Sequence, residues 1–231
     1  MGGQTIFLSA QDSQLGRGEP IIDTARVLER MVHGAIIRTF AQKDVEDFAA
    51  IAKIPTVNAL TDGEHPCQVL TDIFTFEEKR GSIKGKKVAF IGDAACNIAQ
   101  SWVYAAPYFD FQLCLATPKE YESPATNKHV TQVRDPAEAA KSADLIYTDT
   151  WISMGMEAEA EKRGRDFVGY QVNREIVKLA RPDVMVEHLL PAYRGKEITE
   201  EILEEFAHDI FDQAENKVHV QKGILHWLVE T

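Results

Sequence analysis

Short apolar runs and amphipathic segments alternate along the chain almost from its start. Residues 5–8 form a brief strand-like apolar run. The polar stretch 11–20, with Gly16, Gly18 and Pro20, has loop composition. Ala25, Leu28 and Val32 recur at helical spacing, predicting a helix over 23–31 that Gly34 stops. Strands are predicted at 35–38 and 55–60, with a helix over 43–52 between them. A helix over 66–79 follows, with Pro66 in the favoured first turn. Gly81 and Gly85 then bracket a basic turn that reads as a domain boundary. Beyond it, strands at 87–91, 111–116, 144–148 and 184–186 alternate with helices at 97–106, 135–142 and 170–179. Two helices close the chain, 199–207 with Thr199 as its cap, and 216–229. Repeated strand–helix units predict an α/β fold of two domains, each a parallel sheet flanked by helices, split near residue 82.

Composition narrows the function classes. The net charge of -11 argues against non-specific nucleic-acid binding, which needs clustered positive charge to displace counterions. Local positive charge can still gather an anionic substrate in one cleft. Cys67, Cys96 and Cys114 lie far apart without a CxxC spacing, which fits a reducing cytosol rather than a disulfide framework. No apolar run reaches the length of a membrane span, and the first residues do not have the pattern of a signal peptide. A soluble cytoplasmic protein that binds small molecules or protein partners is the expectation.

Candidate chemistry concentrates where strands end. Asp149-Thr150-Trp151-Ile152-Ser153-Met154-Gly155 follows the apolar run 143–147, and ligands of open α/β sheets bind beyond the carboxyl ends of strands. Asp149 and Ser153 could hold an ammonium group there, or the stretch could be a solvated loop. His65-Pro66-Cys67-Gln68 opens a helix whose outward N–H groups suit an anion or a polarised carbonyl. A capping or structural His65 is the alternative. Cys67 reads as a small buried hydrophobe. Arg38-Thr39 closes a strand, facing a cleft or simply solvent. Gly92-Asp93 lacks the GxGxxG pattern of a dinucleotide site, since Ala94 and Ala95 follow. Asn97 is an N-cap or a ligand-facing residue. His188 and Arg194 flank Leu189-Leu190-Pro191, which on spacing alone could be a structural turn.

Together these segments resemble the ornithine carbamoyltransferases, within the aspartate/ornithine carbamoyltransferase superfamily. The resemblance is carried by Leu15-Gly16-Arg17-Gly18-Glu19-Pro20, Asp23-Thr24-Ala25-Arg26, Arg38-Thr39-Phe40, His65-Pro66-Cys67-Gln68 and the stretch 149–155. It continues in order through Tyr170-Gln171-Val172-Asn173, residues 188–195 and Ala214-Glu215-Asn216, and so covers essentially the whole chain. Ser153-Met154-Gly155 marks the ornithine type rather than the aspartate type.

That resemblance implies a carbamoyl-phosphate domain over 1–82, an ornithine-binding domain over 83–212, and a closing helix over 213–231 packed back on the first domain. It implies attack of the ornithine side-chain amine on the carbamoyl carbon, giving citrulline and phosphate, a step of arginine metabolism. By position, Arg38, His65 and Gln68 would be catalytic, polarising the carbamoyl carbonyl. Thr39, Asn97, Asp149, Ser153, Met154, His188, Leu189, Leu190 and Lys217 would line the substrates. The family uses no metal or organic cofactor, and assembles as trimers or multiples of trimers. Its loop matching 11–19 reaches a neighbouring subunit's site.

The chain departs from the family pattern in specific places. The Ser-Thr-Arg-Thr-Arg stretch that grips phosphate occurs nowhere in these 231 residues, so the first domain is expected to be truncated. The family's His-Cys-Leu-Pro is His188-Leu189-Leu190-Pro191, Lys217 stands for an arginine, and Cys96 for a second asparagine. The alternative expectation is therefore a non-catalytic relative that binds an amino acid, or that regulates or completes a partner carbamoyltransferase.

Overall fold

The computed structural model describes residues 2–9, 18–153 and 155–230. Along the first part of the chain it has α1 (Ile21–Leu28), β1 (Ala35–Arg38), α2 (Gln42–Ile51), β2 (Thr56–Leu60) and α3 (Pro66–Arg80). β1 and β2 pair in parallel as a two-stranded sheet. Every residue of β2 is half-buried, and Ile36 of β1 is 59% exposed. The segment 5–8, predicted as strand-like, has no regular structure, and Ile6 and Phe7 are exposed. Its apolar residues meet no partner strand among the described residues, and strand propensity without cross-strand pairing does not make a strand.

The second part carries β3 (Lys87–Ile91), α4 (Asn97–Phe109), β4 (Gln112–Ala116), β5 (Val130–Val133), α5 (Pro136–Ala140), β6 (Leu145–Thr148), α6 (Ala160–Asp166), α7 (Arg174–Val177), β7 (Met185–His188), α8 (Glu200–Glu205) and α9 (Ala207–Glu230). Five parallel strands line up as β5-β4-β3-β6-β7. Val88, Ala89, Phe90 and Ile91 are all fully buried because helices cover both faces of this sheet, which explains their unbroken apolar run. On one face Phe90 stacks on Tyr147 at 5.7 Å between ring centroids, and Trp102 meets Phe111 and Tyr147 edge-on. The α/β class and the paired parallel sheets match the expectation.

Several boundaries differ from expectation. β5 was not predicted: Val-Thr-Gln-Val is short, lies at the sheet edge, and is flanked by polar loops. The helix expected over 170–179 is only α7, because Asn173 caps it by accepting from the N–H groups of Glu175 and Ile176. Residues 216–229 belong to a single 24-residue helix, α9, whose polar first half buries Ile210, Gln213 and Asn216. Gln213 and Asn216 face α3, whereas Ile210 belongs to the apolar cluster with Val186, Ile202 and Leu203. Asn216 Nδ2 donates to Thr75 Oγ1 at 3.1 Å and to Glu78 at 3.0 Å, and Lys79 pairs with Asp209 and Asp212. The closing helix thus returns to an element of the first part of the chain. No helix among the described residues is long and apolar enough to cross a membrane.

Candidate functional site

In the five-stranded sheet the chain leaves β3 toward β4 and β5, then returns to β6 and β7 on the other side. This reversal places a switch point between the carboxyl ends of β3 and β6, the usual location of a ligand crevice. Gly92 and Asp93 leave β3, Asp149 leaves β6, and the Thr148 hydroxyl donates to the Ile91 carbonyl at 2.8 Å, tying the two ends together. Gly92 has a φ of 146°, a backbone conformation that side chains rarely adopt.

The stretch after Asp149 is anchored from below. Trp151 is buried and stacks on Phe167, and its carbonyl accepts from Arg163 Nη1 at 3.0 Å. The same Nη1 reaches Asp93 at 2.6 Å, a pair with side chains 7% and 5% exposed. Arg163 therefore ties the ends of β3 and β6 to α6. Residue spacing offered one faint signal, Glu159 four residues before Arg163, which it engages at 2.9 Å. Asp149 is itself buried, and its Oδ1 accepts from the Thr150 N–H at 2.7 Å. Burial raises its carboxyl to about 6, opposed by His188 and the Thr150 amide. Ser153 is half-buried, and its carbonyl accepts from Met156 N–H at 3.0 Å. Met154 lies outside the described residues, as does the 15–17 part of the Leu-Gly-Arg-Gly motif.

Facing this crevice is the start of α3. His65 precedes Pro66 at the helix entrance, and its backbone N–H donates to Ser101 Oγ of α4 at 2.7 Å. Asn97 is the first residue of α4 rather than its cap, which is Cys96, and its Nδ2 donates to the Thr61 carbonyl at 2.8 Å. These two bonds lock the entrances of α3 and α4 together across the boundary between the two sheets. The His65 Nδ1 is buried without a hydrogen-bond partner. Burial, helped by the positive charges of Lys217 and Arg38, lowers the His65 pKa to about 4, so the ring is neutral at physiological pH. Arg38 is exposed at the end of β1, and Thr39 beside it donates to Asp44 of α2 at 3.3 Å. Gln68 is buried one turn into α3, its Nε2 donating to Asp72 at 2.7 Å.

The third side is the turn after β7. His188 is fully buried with both ring nitrogens engaged: Nδ1 accepts from Leu190 N–H at 2.9 Å, and Nε2 faces Glu197 Oε1 at 3.1 Å. Its side chain shapes the turn from within. Leu190 has a φ of 58°, uncommon for a residue with a side chain and the kind of strain that collects at functional turns, and the Leu190–Pro191 bond is cis. The Leu189 carbonyl accepts from Lys217 Nζ of α9 at 2.7 Å. Burial lowers the Lys217 pKa, with Asp72 and Asp149 opposing the change. Charges and hydrogen bonds thus connect Arg38, His65, Gln68, Asp149 and Leu189 through Lys217 and Asp72, while Asn97 bonds to the Thr61 carbonyl between β2 and α3. Among the described residues, no group of three or more His, Cys, Asp or Glu side chains could hold a metal ion.

Comparison with known proteins finds relatives along nearly the whole chain. Residues 84–228 match the aspartate/ornithine carbamoyltransferase, Asp/Orn binding domain, and residues 1–78 match the carbamoyl-P binding domain of the same family. The chain belongs to the aspartate/ornithine carbamoyltransferase family. It is 50% identical to an ornithine carbamoyltransferase of Akkermansia muciniphila, covering 100% of this chain and 78% of that protein. It is also 50% identical to the anabolic ornithine carbamoyltransferase of Pseudomonas aeruginosa, over 100% of this chain and 77% of the relative. The solved ornithine carbamoyltransferase of Pyrococcus furiosus superposes with a TM-score of 0.90 at 43% identity, covering 99% of this chain and 77% of that one. These carbamoyltransferase relatives place the chain with the ornithine type, and they lend no support to the alternative of a non-catalytic relative.

Proposed function

We propose that the chain transfers the carbamoyl group of carbamoyl phosphate to the side-chain amine of ornithine, giving citrulline and phosphate. The observation that carries this reading is His65. It is a neutral imidazole with a buried, unpartnered Nδ1, between two cationic side chains and across the crevice from a carboxylate-bearing turn. A neutral ring donates one N–H to the carbamoyl oxygen, and Arg38 adds positive charge as that oxygen becomes anionic. Preorganised donors of this kind stabilise the transition state more than the ground state. Gln68 approaches the carbamoyl group from the α3 side.

On the opposite wall, the ionised Asp149 carboxylate holds the ornithine α-ammonium, with Ser153, Met154 and Asn97 around the amino-acid end. His188 contributes by shaping the turn, Leu189 and Leu190 wall the side-chain channel, and Lys217 adds charge toward the anionic substrate. Thr39, just past β1 and bonded to Asp44 of α2, holds the backbone beside Arg38. The deprotonated amine attacks the carbamoyl carbon, a C–N bond forms, the C–O bond to phosphate breaks, and the departing phosphate can take the proton the amine sheds. Holding both substrates in one crevice supplies much of the rate enhancement.

The same reading divides the chain into 1–82, 83–212 and a closing helix over 213–231, supported by the bonds of Asn216 to α3. It carries a homotrimer, or a multiple of trimers, as the assembly. Citrulline measured colorimetrically, with released phosphate measured alongside, tests the reaction. Equal amounts of both from ornithine, and none with aspartate as acceptor, is the expected outcome. Folded protein that makes no citrulline above background at saturating substrates would refute the proposal.

A further inference from the structure

Gln68 of α3 and the turn after β7 belong to different sides of the crevice, yet one carboxyl joins them. Asp72 of α3 is fully buried, and its Oδ1 accepts from Gln68 Nε2 at 2.7 Å and from Gln213 Nε2 of α9 at 2.6 Å. Gln213 is also fully buried, and its Oε1 accepts from the His188 backbone N–H at 3.1 Å. An uninterrupted chain of hydrogen bonds therefore runs from the amino-acid wall, through α9, to the glutamine of the carbamoyl wall. We propose that Asp72 is a positioning residue for carbamoyl transfer, holding the Gln68 amide and, through Gln213, the turn at 188–190 in one hydrogen-bonded unit. The inference deepens the carbamoyl-transfer reading and rests on it.

Geometry explains why the hub is a single acceptor atom. Each glutamine is a primary amide that can rotate its terminal group, and a side chain with free rotamers does not hold a reacting group in place. Sharing Oδ1 fixes both amides with the nitrogen toward Asp72, so each turns its oxygen away from α3. Gln213 spends that oxygen on His188, and Gln68 keeps its own for the crevice. Buried polar groups of this kind cost stability unless they are satisfied, and Asp72 satisfies two at once.

Other groups packed around Asp72 bear on its charge. Burial disfavours its carboxylate, against the donors of Gln213 and Gln68 and the charge of Lys217 of α9, leaving its pKa at about 7. Glu187 of β7 lies close by, fully buried, with neither carboxyl oxygen hydrogen-bonded. Burial, together with Asp72 and Asp209 of α9, raises its pKa well above the usual range against the pull of Lys79 of α3. Two adjacent buried carboxyls do not both ionise, and the one without donors keeps its proton. Asp72 has the donors, so it is the member that can carry the charge.

Four variants test the hub in the full chain. Asp72→Leu removes the acceptor; citrulline kcat should fall about 30-fold or more, with KM for ornithine raised at least threefold. Asp72→Asn retains an oxygen that can accept from both amides and should restore kcat to within about fivefold of the parent. Gln213→Met breaks only the α9 link, so KM for ornithine should rise while kcat stays within about threefold. Glu187→Gln should leave both constants within about twofold. A merely structural role would instead lower the active fraction in all variants alike, with KM unchanged.

Hydrogen exchange read by mass spectrometry separates this inference from the reaction itself. Exchange at the His188 amide should speed at least tenfold in Asp72→Leu and in Gln213→Met, and not in Asp72→Asn. That readout stands even if the parent makes no citrulline. Should Asp72→Leu fail to fold, Gln213→Met and Asp72→Asn carry the test. Unchanged His188 exchange in Gln213→Met, or Asp72→Asn as inactive as Asp72→Leu, would overturn the proposal.

Discussion

The two walls of the crevice are built on unequal foundations. His65, Gln68 and Arg38 belong to a part of the chain whose sheet has two strands, half-buried throughout β2 and largely exposed at Ile36. Asp149 and the turn after β7 belong to a five-stranded sheet whose central strand is buried on both faces. A two-stranded sheet contributes little stability by itself. The thin half instead borrows its rigidity: α3 packs along α9, and the entrances of α3 and α4 are tied by His65 to Ser101 and Asn97 to Thr61. Such a wall can therefore be well placed without a deep core of its own, provided the neighbouring sheet and helices hold it.

Substitutions at the two foundations should separate them sharply. The largest losses belong to the thick half. Phe90→Ala should cost about 3–5 kcal/mol of stability by urea unfolding, from lost burial plus a cavity. Arg163→Met should cost a similar amount, about 3–5 kcal/mol, because it strands the buried Asp93 carboxylate, and adding Asp93→Asn should recover much of it. A loss under 1 kcal/mol in either single variant would show that the sheet is less tightly organised than its burial indicates.

The thin half should answer in activity instead. His65→Asn should lower citrulline kcat by about 100-fold to 1,000-fold with little change in unfolding midpoint. A large drop in stability without a rate effect would reverse the roles of the two walls. A smaller effect concerns pH. Asp149 is held at about 6, so its carboxylate is present above that value and is protonated below it. Ornithine affinity by calorimetry should therefore weaken about tenfold per unit as pH falls below 6, and Asp149→Asn should abolish that dependence while binding weakly throughout. The smallest expected effect is at Ile36, where truncation to Ala should change stability by less than about 0.5 kcal/mol.

Much of this was legible in the chain as written. Alternating strand and helix periodicity placed β1, β2, β3, β4, β6 and β7, and with them the parallel α/β class. Motifs at strand ends and at one helix entrance singled out His65, Gln68, Asp149 and the turn at 188–191 as candidates. The short edge strand β5 was not legible, because four residues of mixed polarity carry no period strong enough to separate from loop. Nor were Asp72, Arg163, Gln213 and Glu197. Each is a polar residue on an amphipathic helix or in a loop, where a charge or an amide normally signals solvent.

Local sequence determined the type and order of most strands and helices, and which polar residues stand at strand ends, because backbone propensity and side-chain period act over a few residues. Only the tertiary structure decided what those polar residues became. Burial and the charges of Arg38 and Lys217 keep His65 neutral, although Lys217 is 152 positions further along the chain. Asp72 meets Gln213 across 141 positions. Desolvation and long-range hydrogen bonds depend on three-dimensional neighbours, and no window along the chain contains them.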